Sequence, residues 1–394
     1  MPDAEVTSSS VTAAVSPIEA PDSATTGTIT ATTTAAAERT LDRREVVASS
    51  WSGCESKLTD GFHGDTIRIG VRSFYEDWSL GNELFTAYLE HVQTAGEVQI
   101  ELVQVPMAGE IPSDIALLAD FATSQVFRGV SAELPDCLPV LSSRYSQVPV
   151  NAMDLAMPAL TAESEMALWA ALVNRSEIDV KTVGALVLNH PAGRALLNEF
   201  ERSIGSEVEL ITVSHETDRY EVSDEITELL AADPDVLLVM TFGEPCRQAV
   251  LAAESALQSP PAIRLIPEVC TGGETSESAW NGWLGFQRPT LDKERIEPGL
   301  RQALEDVYWS NFANESRSVL AAWWIVDAIE RGAIDRRTLL DNLLTTSGGP
   351  DWLADTTKFA TQGTKYPLVI EGGVLLERRD RAWTQVDFID LDPS

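Results

Sequence analysis

The chain has 394 residues, 44% hydrophobic and 23% charged, and 28 Lys and Arg against 61 Asp and Glu leave a net charge of −33. That length holds two domains of ordinary size, each with its own core. So acidic a chain is repelled by nucleic-acid phosphates and by anionic lipid, which sets nucleic acid aside as a partner.

Residues 1–64 read as a tail. It is rich in Ser, Thr and Ala to about residue 50, with Thr32-Thr33-Thr34-Ala35-Ala36-Ala37 as the clearest tract. With few large apolar residues it cannot offset its ordering entropy, so it is expected to be disordered. Met1-Pro2-Asp3-Ala4-Glu5 lacks the basic and apolar regions of a secretory signal.

The folded part is expected to begin near Gly64. Thr66–Val71 reads as a strand, Gly81–Val92 as a helix and Val98–Val105 as a second strand. Between Pro106 and Pro139 two readings stay open. Either Ser113 caps a helix from Asp114 to about Gln125 and Val126–Val130 is a strand, or Ile115–Ala122 is itself the strand. Parallel pairing takes a crossover of about a dozen residues or more, which the second reading hardly leaves. Leu138–Ser143 then reads as a strand and turn, and Met157–Leu172 contains a helix.

The clearest pattern runs from Lys181 to Ala253. Val183–Leu188, Val208–Val213 and Val236–Phe242 are short apolar runs bounded by turn residues, as in strands buried on both faces. Helical segments Ala192–Phe200, Val222–Ala232 and Pro245–Ala253 separate and follow them. This alternation with short connections predicts a parallel sheet covered on both faces. Ile263–Ile266 is a further strand, then Asn281–Gln287, with helices at Pro298–Trp309, Ser318–Glu330 and Arg336–Leu344. Tyr366–Ile370, Gly373–Leu376 and Trp383–Ile389 read as the last strands.

No apolar run reaches the length of a membrane span; the best is Val319–Val326. The four cysteines fit two disulfides in an oxidising compartment, in any of three connectivities, or buried thiols in a reducing one. Cys246 and Cys270 each follow a strand at the same end of one sheet, which pairs them and leaves Cys54 with Cys137. His63, His91, His190 and His215 lie far apart and no Cys-x-x-Cys occurs, so no metal site is expected. Phosphate-loop, dinucleotide, zinc-protease and serine-hydrolase motifs are missing too, so neither a cofactor nor an enzyme is expected.

The wording of several turns resembles the type I periplasmic binding proteins, the branched-chain amino acid and amide receptors of ABC transporters. Asn189-His190-Pro191-Ala192-Gly193 stands where that family has an Asn-Asp-x-Tyr-Gly-like turn, with Ala192 replacing the Tyr. Ala232-Asp233-Pro234-Asp235-Val236 through Gly243, Ile67-Arg68-Ile69-Gly70-Val71, Leu138-Pro139-Val140-Leu141-Ser142-Ser143 and Asn281-Gly282-Trp283-Leu284-Gly285 are similar to other family segments. So is Ala321–Glu330. The resemblance implies two doubly wound α/β lobes: lobe one at about 65–165 and 288–346, lobe two at about 166–287 and 347–394. It implies an extracytoplasmic protein, with the tail similar to the tether of Gram-positive lipoproteins. No lipid-modified Cys precedes that tail here, so the expected native start lies upstream or the chain is trimmed. It also implies capture of an amino acid or small amide for an ABC transporter permease, by cleft closure. The first lobe looks abbreviated, which keeps open a diverged module that senses or docks to a protein.

In such a fold the ligand lies at the carboxyl ends of the strands. Tyr75 and Trp78 follow the first strand and either cover an apolar ligand face or pack beneath their loop. If Ile115–Ala122 is the strand, Ser124 falls in the family's ligand turn. Ser142, Ser143, Tyr145 and Ser146 match positions that hold a ligand carboxylate, and Asn189 ends a strand of lobe two. Pro267-Glu268-Val269 resembles the family turn whose carboxylate holds the ligand ammonium, without its Gly. Glu244 carries charge nearby, but it opens a helix, where the dipole accounts for it.

Overall fold

The computed structural model describes residues 50–391 except 73–79, 97–98, 107–109, 122–134, 143–152, 158–161, 218, 242, 257–260, 272–279, 288–289, 308–315, 347–348, 354–357, 360–369 and 381. The expected disordered tail to residue 49, the strand Val126–Val130 and nearly all of Tyr366–Ile370 lie outside the described residues.

The first sheet begins with β1 (Phe62–His63), antiparallel to β2 (Thr66–Arg72). Helix α1 (Leu80–Ala95) leads to β3 (Gln99–Val105), followed by β4 (Leu117–Asp120), β5 (Val140–Ser142) and β6 (Asp154–Ala156). β3 pairs with one side of β2 and β4 with the other, and all pairs from β2 to β6 are parallel.

Of the two readings between Pro106 and Pro139, the strand is therefore Leu117–Asp120, and no helix begins at Asp114. The crossover-length argument against it does not hold, because the described residues of the connection form no helix. Where a crossover helix would bury its apolar face, Ile111 and Ile115 pack with Val105, Leu118, Leu138 and Val140. The connecting loop carries backbone carbonyls that a helix would have satisfied internally. Arg336 answers two of them, its guanidinium donating to Ser113 at 2.7 Å and to Ile115 at 3.1 Å, and it also donates to Cys137, just before β5, at 3.1 Å.

Helix α2 (Ala162–Arg175) leads into the second sheet. Its parallel part is built of β7 (Thr182–Leu188), α3 (Pro191–Ser203), β8 (Glu209–His215), α4 (Ser223–Ala231), β9 (Val236–Met240) and α5 (Glu244–Ala256). It continues through β10 (Ile263–Leu265), the short α6 (Glu268–Thr271) and β11 (Leu284–Phe286). The order is β11-β10-β9-β7-β8, parallel throughout. β7 and β9 are the middle strands, and Val183–Leu188 and Val236–Met240 are buried completely or nearly so. This is why both read as continuous apolar runs.

The Ala-Asp-Pro-Asp turn has a local reason. Asp233 takes a left-handed conformation, φ 51°, which Asp tolerates better than bulky residues. Asp235 then accepts from the N–H groups of Lys181 and Thr182 at 2.7 and 3.0 Å, fastening the start of β7. Pro234 lies so close to Gly184 that a Cβ there would meet its ring at 3.1 Å.

Beyond β11 come α7 (Pro298–Val307), α8 (Ser316–Glu330) and α9 (Arg336–Thr345). α7 and α8 pack on α1, so the first sheet borrows helices from late in the chain. Asp335 caps α9, its carboxylate accepting from the Thr338 N–H at 2.7 Å in a reciprocal capping box. The chain then adds β12 (Lys358–Phe359), β13 (Ile370–Arg379) and β14 (Ala382–Asp390) to the second sheet. These last strands are antiparallel, so that sheet is mixed. Cys54 is bonded to Cys137 and Cys246 to Cys270, with Cα atoms 5.4 and 6.2 Å apart. Among the described residues no helix is long and apolar enough to cross a membrane.

Candidate functional site: the strand ends of two sheets

The carboxyl ends of β2, β4 and β5 stand in register, Arg72 beside Asp120 and Asp120 beside Ser142. All three side chains are buried. Arg72 Nε donates to Asp120 Oδ1 at 3.1 Å and Nη2 donates to Oδ2, a fork-to-fork pair between two strand ends. Ser142 Oγ donates to the buried carboxylate of Asp154, at the start of β6. Ser142 is thus engaged within its own sheet.

On the second sheet the strand ends bring Asn189, His215, Thr241 and Glu268 to the same edge. Asn189 is exposed; it donates to Glu216 Oε1 at 2.7 Å and accepts from Arg194 at 3.3 Å. The turn behind it is tight: a Cβ on Gly193 would meet the Leu188 carbonyl oxygen at 2.1 Å, so only glycine fits.

His215 is buried, not the surface or turn residue that histidines usually are. Its Nδ1 lies 3.1 Å from the Glu216 carbonyl, which can only accept, so Nδ1 carries the proton. Nε2 then accepts from the Thr241 hydroxyl at 2.7 Å. Burial holds this imidazole below its ordinary pKa, against the smaller pull of the Glu216 carbonyl.

Glu268 follows β10 after Ile266 and Pro267 and is only 2% exposed. It opens the short helix α6, so it too has a helix-start position, contrary to the contrast drawn with Glu244. Its backbone N–H donates to Glu165 Oε1 at 2.5 Å, and Glu165, in the first turns of α2, is itself fully buried. The Glu165 carboxylate thus meets the backbone that carries Glu268. Cys270, two residues on, is tied to Cys246 of α5, and both sulfurs face the Thr241 carbonyl, at 3.5 and 3.1 Å. Glu244 stands apart from this group: Gln248 and then Arg247 hold its carboxyl below the usual range.

Tyr75, Trp78, Ser124, Ser143, Tyr145 and Ser146 lie outside the described residues. Arg72, Asp120, Asp154, Glu165 and His215 were not singled out in advance. The available signal for the first two was a charge on the last residue of an otherwise apolar strand, in Ile69-Gly70-Val71-Arg72 and Leu117-Leu118-Ala119-Asp120. Among the described residues no three His, Cys, Asp or Glu side chains are grouped to hold a metal ion. A polar pocket of about 470 Å³, lined by Ser50, Lys57, Asp136 and the Cys54–Cys137 bridge among others, lies at the amino ends of β5 and β6, opposite these strand ends.

No protein-family model matches the sequence, and no curated protein does. Solved structures match over most of the chain. One is a solute-binding protein of an ABC transporter from R. palustris in complex with benzoate, with 13% identity, a TM-score of 0.59, and coverage of 82% of this chain and 96% of that one. Another is a fatty acid ABC transporter substrate-binding protein from Thermomonospora curvata, with 12% identity, a TM-score of 0.59, and coverage of 85% and 94%. A leucine-binding protein from Thermotoga maritima matches at 12% identity and a TM-score of 0.57, with coverage of 82% and 98%. At such identities the likeness concerns the fold: the chain has the two-lobed α/β fold of the type I periplasmic binding proteins.

Proposed function

We propose that this chain is an extracytoplasmic solute-binding protein that delivers an amino acid or small amide to an ABC transporter permease. The observation that carries the reading is Glu268, a buried carboxylate at a strand end of a fold whose ligands lie at strand ends. A fixed carboxylate at that place is suited to the ammonium of an α-amino acid, a charge-assisted pair. The benzoate, leucine and fatty acid named for the similar proteins share a carboxylate. The two disulfides suit an oxidising compartment.

In this reading lobe one spans about 65–165 and 288–346, and lobe two about 166–287 and 347–394. The solute bridges them, favouring the closed form by its differential affinity. A thermal-shift panel of L-amino acids, their amides and simple carboxylates tests it. A true solute at a hundred times its dissociation constant adds about 2.7 kcal/mol of stability. No shift with any member contradicts the reading.

The missing crossover helix between β3 and β4, together with Ala192, favours a second reading: a diverged module that docks to a protein. An empty panel is the result it predicts.

A further inference from the structure

The wall of lobe one carries a cation that the solute-binding reading has not used. Arg72 ends β2 with its guanidinium buried, and among the described residues its hydrogen-bond partner is Asp120. A guanidinium has five N–H donors in a rigid fork. Asp120 takes two of them, one from Nε and one from Nη2. Three donors remain, two of them on Nη1.

We propose that Arg72, oriented by Asp120, is the group on the lobe-one strand ends that receives the solute's carboxylate; the proposal rests on the solute-binding reading above. Three observations converge on it. First, the position is right: Arg72 is the last residue of a strand, in register with Asp120 and Ser142, also the last of theirs. Second, the orientation is fixed. A carboxylate gripping Nε and Nη2 locks the plane of the guanidinium, so Nη1 points in one direction before any solute arrives, and little ordering entropy is lost on binding. Third, the electrostatics need it. With a net charge of −33 the molecule repels small anions at a distance. A buried cation such as Arg72 supplies the local positive charge that an anionic group needs there.

A zwitterion is then read from both sides, carboxylate by Arg72 on lobe one and ammonium by Glu268 on lobe two. Asp120 is a positioning residue: it touches Arg72 and acts through it. Ser142, which already donates to Asp154, is not the main carboxylate contact.

The test compares acids with their amides, L-leucine against L-leucinamide and benzoate against benzamide, by titration calorimetry on the full chain. Wild type should bind whichever acid it takes about 100-fold tighter than the amide, because the amide leaves charged donors unanswered. Arg72→Met combined with Asp120→Asn leaves no lone buried carboxylate and should bring acid and amide within about threefold of each other. Arg72→Lys keeps the cation but not the fork; it should lose about tenfold for the acid and little for the amide, and it serves if the double variant does not fold. Asp120→Asn alone should weaken the acid selectively.

If wild type binds acid and amide equally, or if the variants keep the wild-type preference, Arg72 is a stitch between β2 and β4 and the proposal is overturned while the solute-binding reading stands. If wild type binds none of the four probes and the wider panel is also silent, both fall.

Discussion

Glu268 and Glu165 place two acids in one buried corner, with the Glu165 carboxylate already accepting the Glu268 N–H. In the solute-binding reading the Glu268 carboxylate pairs with the ammonium of the solute. Glu268→Gln should therefore weaken amino acid binding by about 3–5 kcal/mol, the range for breaking a buried charge pair, with little change in melting temperature. Calorimetry with a solute that demonstrably binds checks this; equal affinities in wild type and variant would remove Glu268 from the site. His215 is expected to set a pH dependence. Its folded pKa lies below the unfolded value of about 6.5, so the unfolded chain takes up the proton first as pH falls. The stability it contributes is complete above about pH 6.5 and declines from there toward the lower folded value. His215→Gln should flatten that part of the melting-temperature profile below about pH 6.5. Parallel profiles for the two proteins would contradict it.

The loop between β3 and β4 shows how one side chain replaces a helix. Arg336 reaches from the first turn of α9 to the carbonyls of Ser113, Ile115 and Cys137, and its burial pushes the guanidinium pKa down from its usual value. Arg336→Met leaves those acceptors dry and should cost about 3–5 kcal/mol in urea unfolding, far more than a surface substitution. A loss below about 1 kcal/mol would show the loop to be held by Ile111 and Ile115 alone.

This loop was also the least readable part of the chain. The rule that parallel neighbours need a long crossover treats the connection as a helix, whereas here β4 passes to the far side of β2 on a packed loop. From Thr182 to Ala256, by contrast, every strand and helix could be read within a few residues. The middle strands are buried on both faces, and turns such as Asp233-Pro234-Asp235 bound them sharply. The site divides in the same way. Glu268 stood out because its turn wording resembled a known one, and its strand end could be located. Arg72 and Asp120 belong to their strands, and nothing in either segment alone says that the two meet; only the register of β2 with β4 does. The continuity of Glu165 with Glu268, a hundred residues apart, is likewise a product of the tertiary fold.

The whole molecule has two sheets whose strand ends carry opposite charges, a clamped guanidinium on one and the buried Glu268 on the other. The helices α7 and α8 return to pack on α1, so the first sheet is completed by chain that follows the parallel part of the second. In the solute-binding reading the two lobes close as rigid bodies about their shared connections. The central claim is that a small solute is held between these lobes. Small-angle X-ray scattering, with and without a saturating solute found in the thermal-shift panel, tests it most directly. The account predicts a smaller radius of gyration in the presence of solute, with one solute bound per chain. A solute that binds at one per chain yet leaves the scattering curve unchanged would contradict it.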